Sequence, residues 1–303
     1  MDKPTFDPGL TQQFSAPLRR IINKDGSFNV HRRGVTWRDV HPYLHLINMS
    51  WSGFLSVVFL AYLVVNTLFA FVYFTLGSVQ GADAATPFER FANDFFFSAQ
   101  TLTTVGYGAM SPKGLATNSL SAIEAMVGLM GFALATGLLF GRVSRPSAKI
   151  RFSENMIVAP YQDGWSLQFR IVNKRANSLM ELEATVMLMT VEGAGANPKR
   201  TYKVLKLERQ SVYFFPLTWT IVHPLDSDSP LLGKTADELE RLQAEVLILI
   251  KGWDDTFSQT VHSRHSYRYD EITWSARFEP AFHVDEHGDL VVEVDQVGAL
   301  TVV

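Results

Sequence analysis

Cysteine is missing from all 303 residues. Disulfides, thiolate metal sites and cysteine nucleophiles are excluded together. An excess of one charge is missing too: 27 Lys and Arg stand against 30 Asp and Glu, a net charge of −3. Basic residues are not interleaved with aromatics, so nothing in the chain marks a nucleic-acid partner. There is no phosphate-cradling glycine loop and no nucleophile elbow. His41 and His45 are spaced i, i+4 but lack an acidic set beside them, and His262 and His265 fall on opposite faces of a strand-like stretch. No catalytic residue, enzyme activity or resident cofactor is therefore expected. The first 36 residues are polar, with Pro4, Pro8 and Pro17 and no apolar core. They read as a loosely structured segment without a cleaved signal peptide, leaving membrane insertion to the first apolar span.

The most informative absence is of charge in residues 51–76. At about 1.5 Å per residue a helix over that stretch reaches about 39 Å, beyond the roughly 30 Å hydrocarbon core of a bilayer. Trp51 and Tyr73 suit interface anchors near its ends. A second apolar helix is expected over 115–141, with Gly128, Gly131 and Gly137 allowing close packing and Glu124 as its single charge up to Phe140. A carboxylate in a membrane helix marks a functional site by default. Glu124 reads either as a packing partner hydrogen-bonded behind the Thr104–Gly108 segment or as a group lining the pore directly. Before the first span, Trp37, Val40, Leu44 and Ile47 recur at helical spacing. They indicate an amphipathic helix over 37–48 lying at the interface, or else the frayed start of the span. Pro42 argues against one continuous helix.

Between the spans, Thr86-Pro87-Phe88-Glu89 carries a cap, a first-turn proline and a capping box. It opens an aromatic helix over 88–103 that contains Phe95, Phe96 and Phe97. Thr104-Val105-Gly106-Tyr107-Gly108 follows directly. Glycine at alternate positions permits φ > 0 and lets successive carbonyls turn one way. Four such strands around an axis would stack carbonyl rings able to replace the hydration shell of potassium. The C-terminal end of the short helix adds partial negative charge, favourable to a cation. Span, short helix, Thr-Val-Gly-Tyr-Gly, span resembles the pore module of potassium channels. Residues 49–146 form that unit.

Arg19, Arg20, Lys24, Arg32, Arg33 and Arg38 precede the first span, and Arg142, Arg145, Lys149 and Arg151 follow the second; only Arg90 and Lys113 lie between. The positive-inside rule makes both termini cytoplasmic. From about residue 147 the period becomes two. Leu167, Phe169 and Ile171 alternate with Gln168 and Arg170, and Leu182, Ala184, Val186 and Leu188 repeat the pattern. One helix interrupts the strands, opened by the box Thr235-Ala236-Asp237-Glu238. Residues 147–303 are expected to form an immunoglobulin-like β-sandwich, giving a fold class of membrane α plus cytoplasmic β.

His223-Pro224-Leu225-Asp226-Ser227-Asp228-Ser229-Pro230-Leu231, Arg264-His265-Ser266-Tyr267, Asp270-Glu271-Ile272-Thr273-Trp274 and Arg170-Ile171-Val172-Asn173-Lys174-Arg175 resemble the cytoplasmic domain of inward-rectifier potassium channels, the bacterial branch above all. The resemblance covers roughly residues 25–280. It implies a homotetrameric channel in the cell's inner (plasma) membrane, with permeant potassium at Thr104, Val105, Gly106 and Tyr107. Phe140 matches the bulky residue of the helix-bundle gate. Phe132 stands where strong rectifiers hold an acid, and Glu124 joins these two as a gate and cavity candidate. Glu181 and Glu271 match acids of the cytoplasmic pore, where magnesium or polyamine blockers would bind. Arg38, Arg142, Arg145, Lys149 and Arg151 resemble the site for anionic phospholipid, or are ordinary positive-inside charge. Gln100 and Met110 replace a Glu–Arg pair of animal members, so filter support is expected to rest more on packing, with Tyr107 turned into the aromatic helix. The alternative is a membrane-anchored ligand-binding module whose pore is non-conducting or poorly selective.

Overall fold

The computed structural model describes residues 8–10, 20–34, 36, 41–81, 83–146, 148–193 and 198–303. Two compact units result: Arg33–Arg145, and Pro146–Val303 together with the N-terminal residues up to Arg32.

In the first unit, α1 (Pro42–Asn48) carries Pro42 in its first turn, where a missing N–H leaves no gap in the ladder. Trp37, Arg38 and Val40 of the expected interfacial helix lie outside the described residues. Helix α2 (Trp51–Leu76) is capped by Ser50, which accepts from Gly53 N–H at 3.2 Å, and stops at Gly77 with φ 64°. Strand β1 (Val79–Gln80) leads to α3 (Pro87–Leu102), one residue earlier at each end than the pattern indicates, because Pro87 occupies the first turn. The Thr86–Glu89 capping box is present in both directions. Strand β2 (Ser111–Pro112) pairs antiparallel with β1, and α4 (Leu115–Val143) completes the unit. Helices α2 and α4 are long and apolar enough to cross a membrane.

The second unit contains β3 (Ile150–Phe152), β4 (Met156–Tyr161), β5 (Gly164–Asn173), β6 (Leu179–Glu192), β7 (Lys199–Val204), β8 (Ser211–Phe214), β9 (Thr218–Pro224), α5 (Ala236–Arg241), β10 (Glu245–Asp254), β11 (Gln259–Arg268) and β12 (Ile272–Trp274). Short strands β13 (Ala276–Phe278), β14 (Phe282–Val284), β15 (Leu290–Val292) and β16 (Leu300–Val302) follow. One five-stranded sheet runs β11-β10-β6-β7 with β8 on β6; the other runs β12-β4-β5-β3 with β9 on β5. Leu167, Phe169, Ile171, Leu182, Ala184, Val186 and Leu188 are all buried in the core between them. The Thr235–Glu238 box opens α5 as its sequence requires.

Arg170 departs from the alternation, for it is buried too. The short pair β13–β16 continues past it, placing Glu279 O at 2.6 Å and the Phe278 ring at 4.5 Å from its guanidinium. Burial pushes its pKa down to about 10.

The N-terminal residues 20–30 are not loose. A turn over Asn23–Ser27 brings Ile22 opposite Phe28. Gly26, at φ 82°, lies so close to β11 that a Cβ would meet Arg264 O at 2.8 Å. Ser266 Oγ donates to Ile22 O at 2.7 Å, and Ile21 N–H donates to the Glu245 carboxylate. His265 is buried here, its ring stacked 4.5 Å from Phe152 and its Nδ1 3.3 Å from Lys24 O. Burial pushes its pKa down to about 4, with Arg20 adding to the shift while the Lys24 carbonyl and Glu271 oppose it. The unfolded chain then takes up a proton near the ordinary value of 6.5 while the folded chain does not. Stability should therefore fall as pH drops from about 6.5 to about 4, by about 2 kcal/mol at pH 5. Thermal unfolding of the full chain should show a lower midpoint at pH 5 than at pH 7, and His265→Gln should flatten that slope. An unchanged slope in the variant would remove His265 as its source.

Candidate ion-conduction site

Helix α3 ends by passing its last carbonyls to the residues that follow. Thr103 N–H donates to Ala99 O at 3.2 Å and Thr104 N–H to Thr101 O at 3.0 Å. Gln100 O accepts from both Val105 at 2.9 Å and Gly106 at 3.3 Å. Four successive amides are thus turned back toward the helix. Backbone φ is positive at Thr104 (60°), Gly106 (52°) and Gly108 (83°), and not at Val105 or Tyr107. Alternating hand is the condition under which successive carbonyls can face one way instead of to opposite sides. Among the described residues nothing donates to the carbonyls of Thr104–Gly108. The segment is a row of unused acceptors, suited to a dehydrated cation. Thr104 is β-branched, so its left-handed backbone is strained by about 1–2 kcal/mol.

The Tyr107 ring is 78% exposed. It does not pack into the aromatic helix of its own chain. Gly128 of α4 meets the end of α3 so closely that a Cβ would lie 1.9 Å from Leu102 O. Phe132, Thr104, Leu102 and Gly128 share an apolar hollow of about 800 Å³. Phe140 lies farther along α4, 71% exposed.

Glu124 does not belong with Phe132 and Phe140. It is fully buried, accepting from Tyr73 Oη at 2.6 Å and, through its other oxygen, from Ser98 Oγ. Tyr73, read from the sequence as an interface anchor, is equally buried. Ser98 and Asn66 also belong to this cluster, and sequence reasoning missed both. The available signal was weak: Asn66 is the one side-chain amide in α2, and Ser98 follows directly on the Phe95–Phe97 run in α3.

Arg142 is spent within its own unit. Its guanidinium donates to the carbonyls of Leu46, Ile47 at 2.9 Å and Met49 at 2.8 Å, and it lies over the rings of Trp51 and Phe54. That correction follows from committed donors: its two terminal nitrogens hold the carbonyls at the end of α1, and its Nε is buried away from any headgroup. Arg145 donates to the Asn48 side chain, Arg151 pairs with Asp295 on the surface, and Lys149 is exposed.

The two acids of the β unit differ. Glu181 sits at φ 51° in a bulge, where β6 slips against β10 between Lys251 and Trp253. The extra residue re-aims its side chain to the surface. Glu271 instead pairs with Arg20 and with Lys24 at 2.8 Å and is mostly buried. Burial alone would raise its carboxyl, but hydrogen bonds from Lys24 and the Arg268 N–H, with the Arg20 charge, hold it below the ordinary value. Its charge is already answered within the chain, which removes it from the acids free to attract a blocker.

A row of unused carbonyls at the C-terminal end of a short helix, between two membrane-length helices, defines an ion-channel pore. Residues 53–145 match the family described as Ion channel, and residues 150–303 match the Inward rectifier potassium channel C-terminal domain. The chain is 37% identical over 279 residues to the inward rectifier potassium channel Kirbac3.1 of Paramagnetospirillum magnetotacticum, covering 90% of this chain and 93% of that one. It is 24% identical over 305 residues to G protein-activated inward rectifier potassium channel 4 of Mus musculus, covering 91% and 72%. Against G protein-activated inward rectifier potassium channel 3 of Homo sapiens it is 26% identical over 317 residues, covering 94% and 79%. The chain belongs to the inward rectifier potassium channel family. It is a membrane potassium channel and not an enzyme, which displaces the reading of a ligand-binding module with an idle pore.

Proposed function

We propose that four copies of this chain assemble around one axis, with Thr104, Val105, Gly106, Tyr107 and Gly108 forming a filter that passes potassium and rejects sodium. The alternating hand of that segment, with its amides turned away and its carbonyls unused, carries the reading. One strand cannot encircle an ion, and four carbonyl dipoles per ring can replace its water. Both termini face the cytoplasm across the inner (plasma) membrane, as the basic flanks of the spans require. Anionic phospholipid is attracted by the juxtamembrane charge of Arg145, Lys149 and Arg151; Arg38 remains a candidate by sequence alone, and Arg142 serves α1 instead.

The gate is Phe140. Four such rings meeting on the axis would make a dewetted constriction. In potassium-loaded liposomes, Phe140→Ala should raise resting flux severalfold; unchanged flux there, with opening by a substitution elsewhere on α4, would move the gate.

Rectification should be weak. Phe132 offers the cavity no carboxylate, Glu124 is turned away from it, and Glu271 is neutralised. Glu181 is left, in a hydrated region where screening acts over about 8 Å. Block by internal spermine or magnesium should be shallow and salt-sensitive. Phe132→Asp should deepen it and steepen its voltage dependence, because the blocker then binds within the membrane field. Steep block in the wild type that survives Glu181→Gln would rule out this placement of the controlling charge.

A further inference from the structure

Helix α3 holds the filter through two carbonyls, that of Thr101 to Thr104 and that of Gln100 to Val105 and Gly106, yet the filter includes a strained threonine. Such a backbone persists only where its surroundings over-determine it. What fixes α3 lies two residues upstream of Gln100. Ser98 Oγ contacts both Glu124 on α4 and Asn66 on α2, the latter at 3.1 Å. Glu124 in turn accepts from Tyr73 on α2 at 2.6 Å, and Asn66 Nδ2 donates to Tyr62 O at 2.7 Å. The Tyr73 ring packs edge-on against Phe97 at 5.0 Å. All four polar side chains are fully buried. A carboxylate in such a place is costly unless its hydrogen bonds are met, and here meeting them ties three helices together at one point.

We infer that Glu124, with Tyr73, Ser98 and Asn66, is a positioning network for the filter, setting how far the Gln100 carbonyl reaches toward Val105 and Gly106 and so how well potassium is told from sodium. The inference rests on the assignment of Thr104–Gly108 as the filter. Geometry, not negative charge, is what the network supplies. Ser98 has one hydroxyl hydrogen and two oxygen neighbours. A glutamine at 124 would present its carbonyl to Tyr73 and its amide N–H to Ser98, freeing the serine hydrogen for Asn66.

The test is the potassium-to-sodium permeability ratio of the full-length channel in liposomes, with assembly checked by sizing. Ser98→Ala and Tyr73→Phe, each removing one buried hydrogen-bond partner, should lower the ratio by about tenfold while assembly persists. Glu124→Gln should hold the ratio within about twofold of wild type, and Glu124→Ala should lose it. A merely structural role would reduce thermal stability and leave the ratio unmoved. The inference is overturned if Ser98→Ala and Tyr73→Phe keep the wild-type ratio, or if Glu124→Gln loses it as fully as Glu124→Ala. Should Glu124→Ala not assemble, the other three variants decide. Gly106→Ala run alongside separates the two readings. A ratio lost there but kept in Ser98→Ala sinks the network and spares the filter, whereas a ratio kept in both sinks the filter.

Discussion

Gly106→Ala is expected to abolish discrimination between potassium and sodium while leaving the β-sandwich folded. Gly106 stands at φ 52° with no atom within 4 Å of where a Cβ would go. Within the chain the penalty is therefore one of the backbone, about 1–2 kcal/mol for a left-handed alanine. It falls beside Thr104, which already bears a strain of that kind. In the proposed tetramer the cost recurs in every chain, so the sum reaches several kcal/mol. An alanine that relaxes to negative φ breaks the alternation and swings a carbonyl out of the row. Either outcome damages ion coordination. Reversal potentials in mixed potassium and sodium, with circular dichroism as the check on folding, read this directly. A preserved preference for potassium would refute the filter assignment.

The second large effect is expected at Gly128, and its cause is contact, not conformation. A Cβ there would lie 1.9 Å from Leu102 O, 2.8 Å from Leu102 C and 3.1 Å from its Cα. These are backbone atoms and cannot rotate aside. Helix α4 and the end of α3 would have to separate by about 1 Å or more, and overpacking of that sort costs about 1–3 kcal/mol or above. Because Leu102 is the last residue of α3, the displacement reaches the filter at once. Gly128→Ala should give channels that assemble poorly or no longer select. Gly131 and Gly137 have nothing within 4 Å in the same chain, and alanine is the better helix former by about 1 kcal/mol. Gly131→Ala and Gly137→Ala are thus matched controls, expected to match or exceed wild-type stability within the chain. Equal behaviour of all three variants in thermal unfolding and flux would mean that the close approach at Gly128 is not real.

Much of the pore was legible because its rules are local. A stretch without charge makes α2, and alternate glycines after a capped aromatic helix make the left-handed turns of the segment proposed as the filter. Thr86 and Glu89, or Thr235 and Glu238, announce helix starts three residues apart. The alternation of Leu167, Phe169 and Ile171 against their neighbours foretold one face of a sheet. Arg170 escaped the rule because a second layer, arriving from Phe278 and Glu279, covers the face that the period leaves polar. No count along β5 reveals a strand that comes back a hundred residues later.

By itself the sequence determined the membrane-length helices, the helix caps, the strand period and the alternating backbone of Thr104–Gly108, since each depends on neighbours within a turn or two of chain. Which buried partner each polar group would find was decided only in three dimensions. Glu124 meets Tyr73 across 51 residues, Arg142 closes α1 across 96, and Ser266 takes hold of Ile22 across 244. Helical spacing could place Glu124 on a face of α4, but not say whether that face met a cavity or another helix. The same held for Arg142, which looked like juxtamembrane charge until the carbonyls of α1 were brought to it. A charged side chain buried without partners is so costly that its role follows from whatever the fold sets beside it, and that neighbour is written far away in the chain.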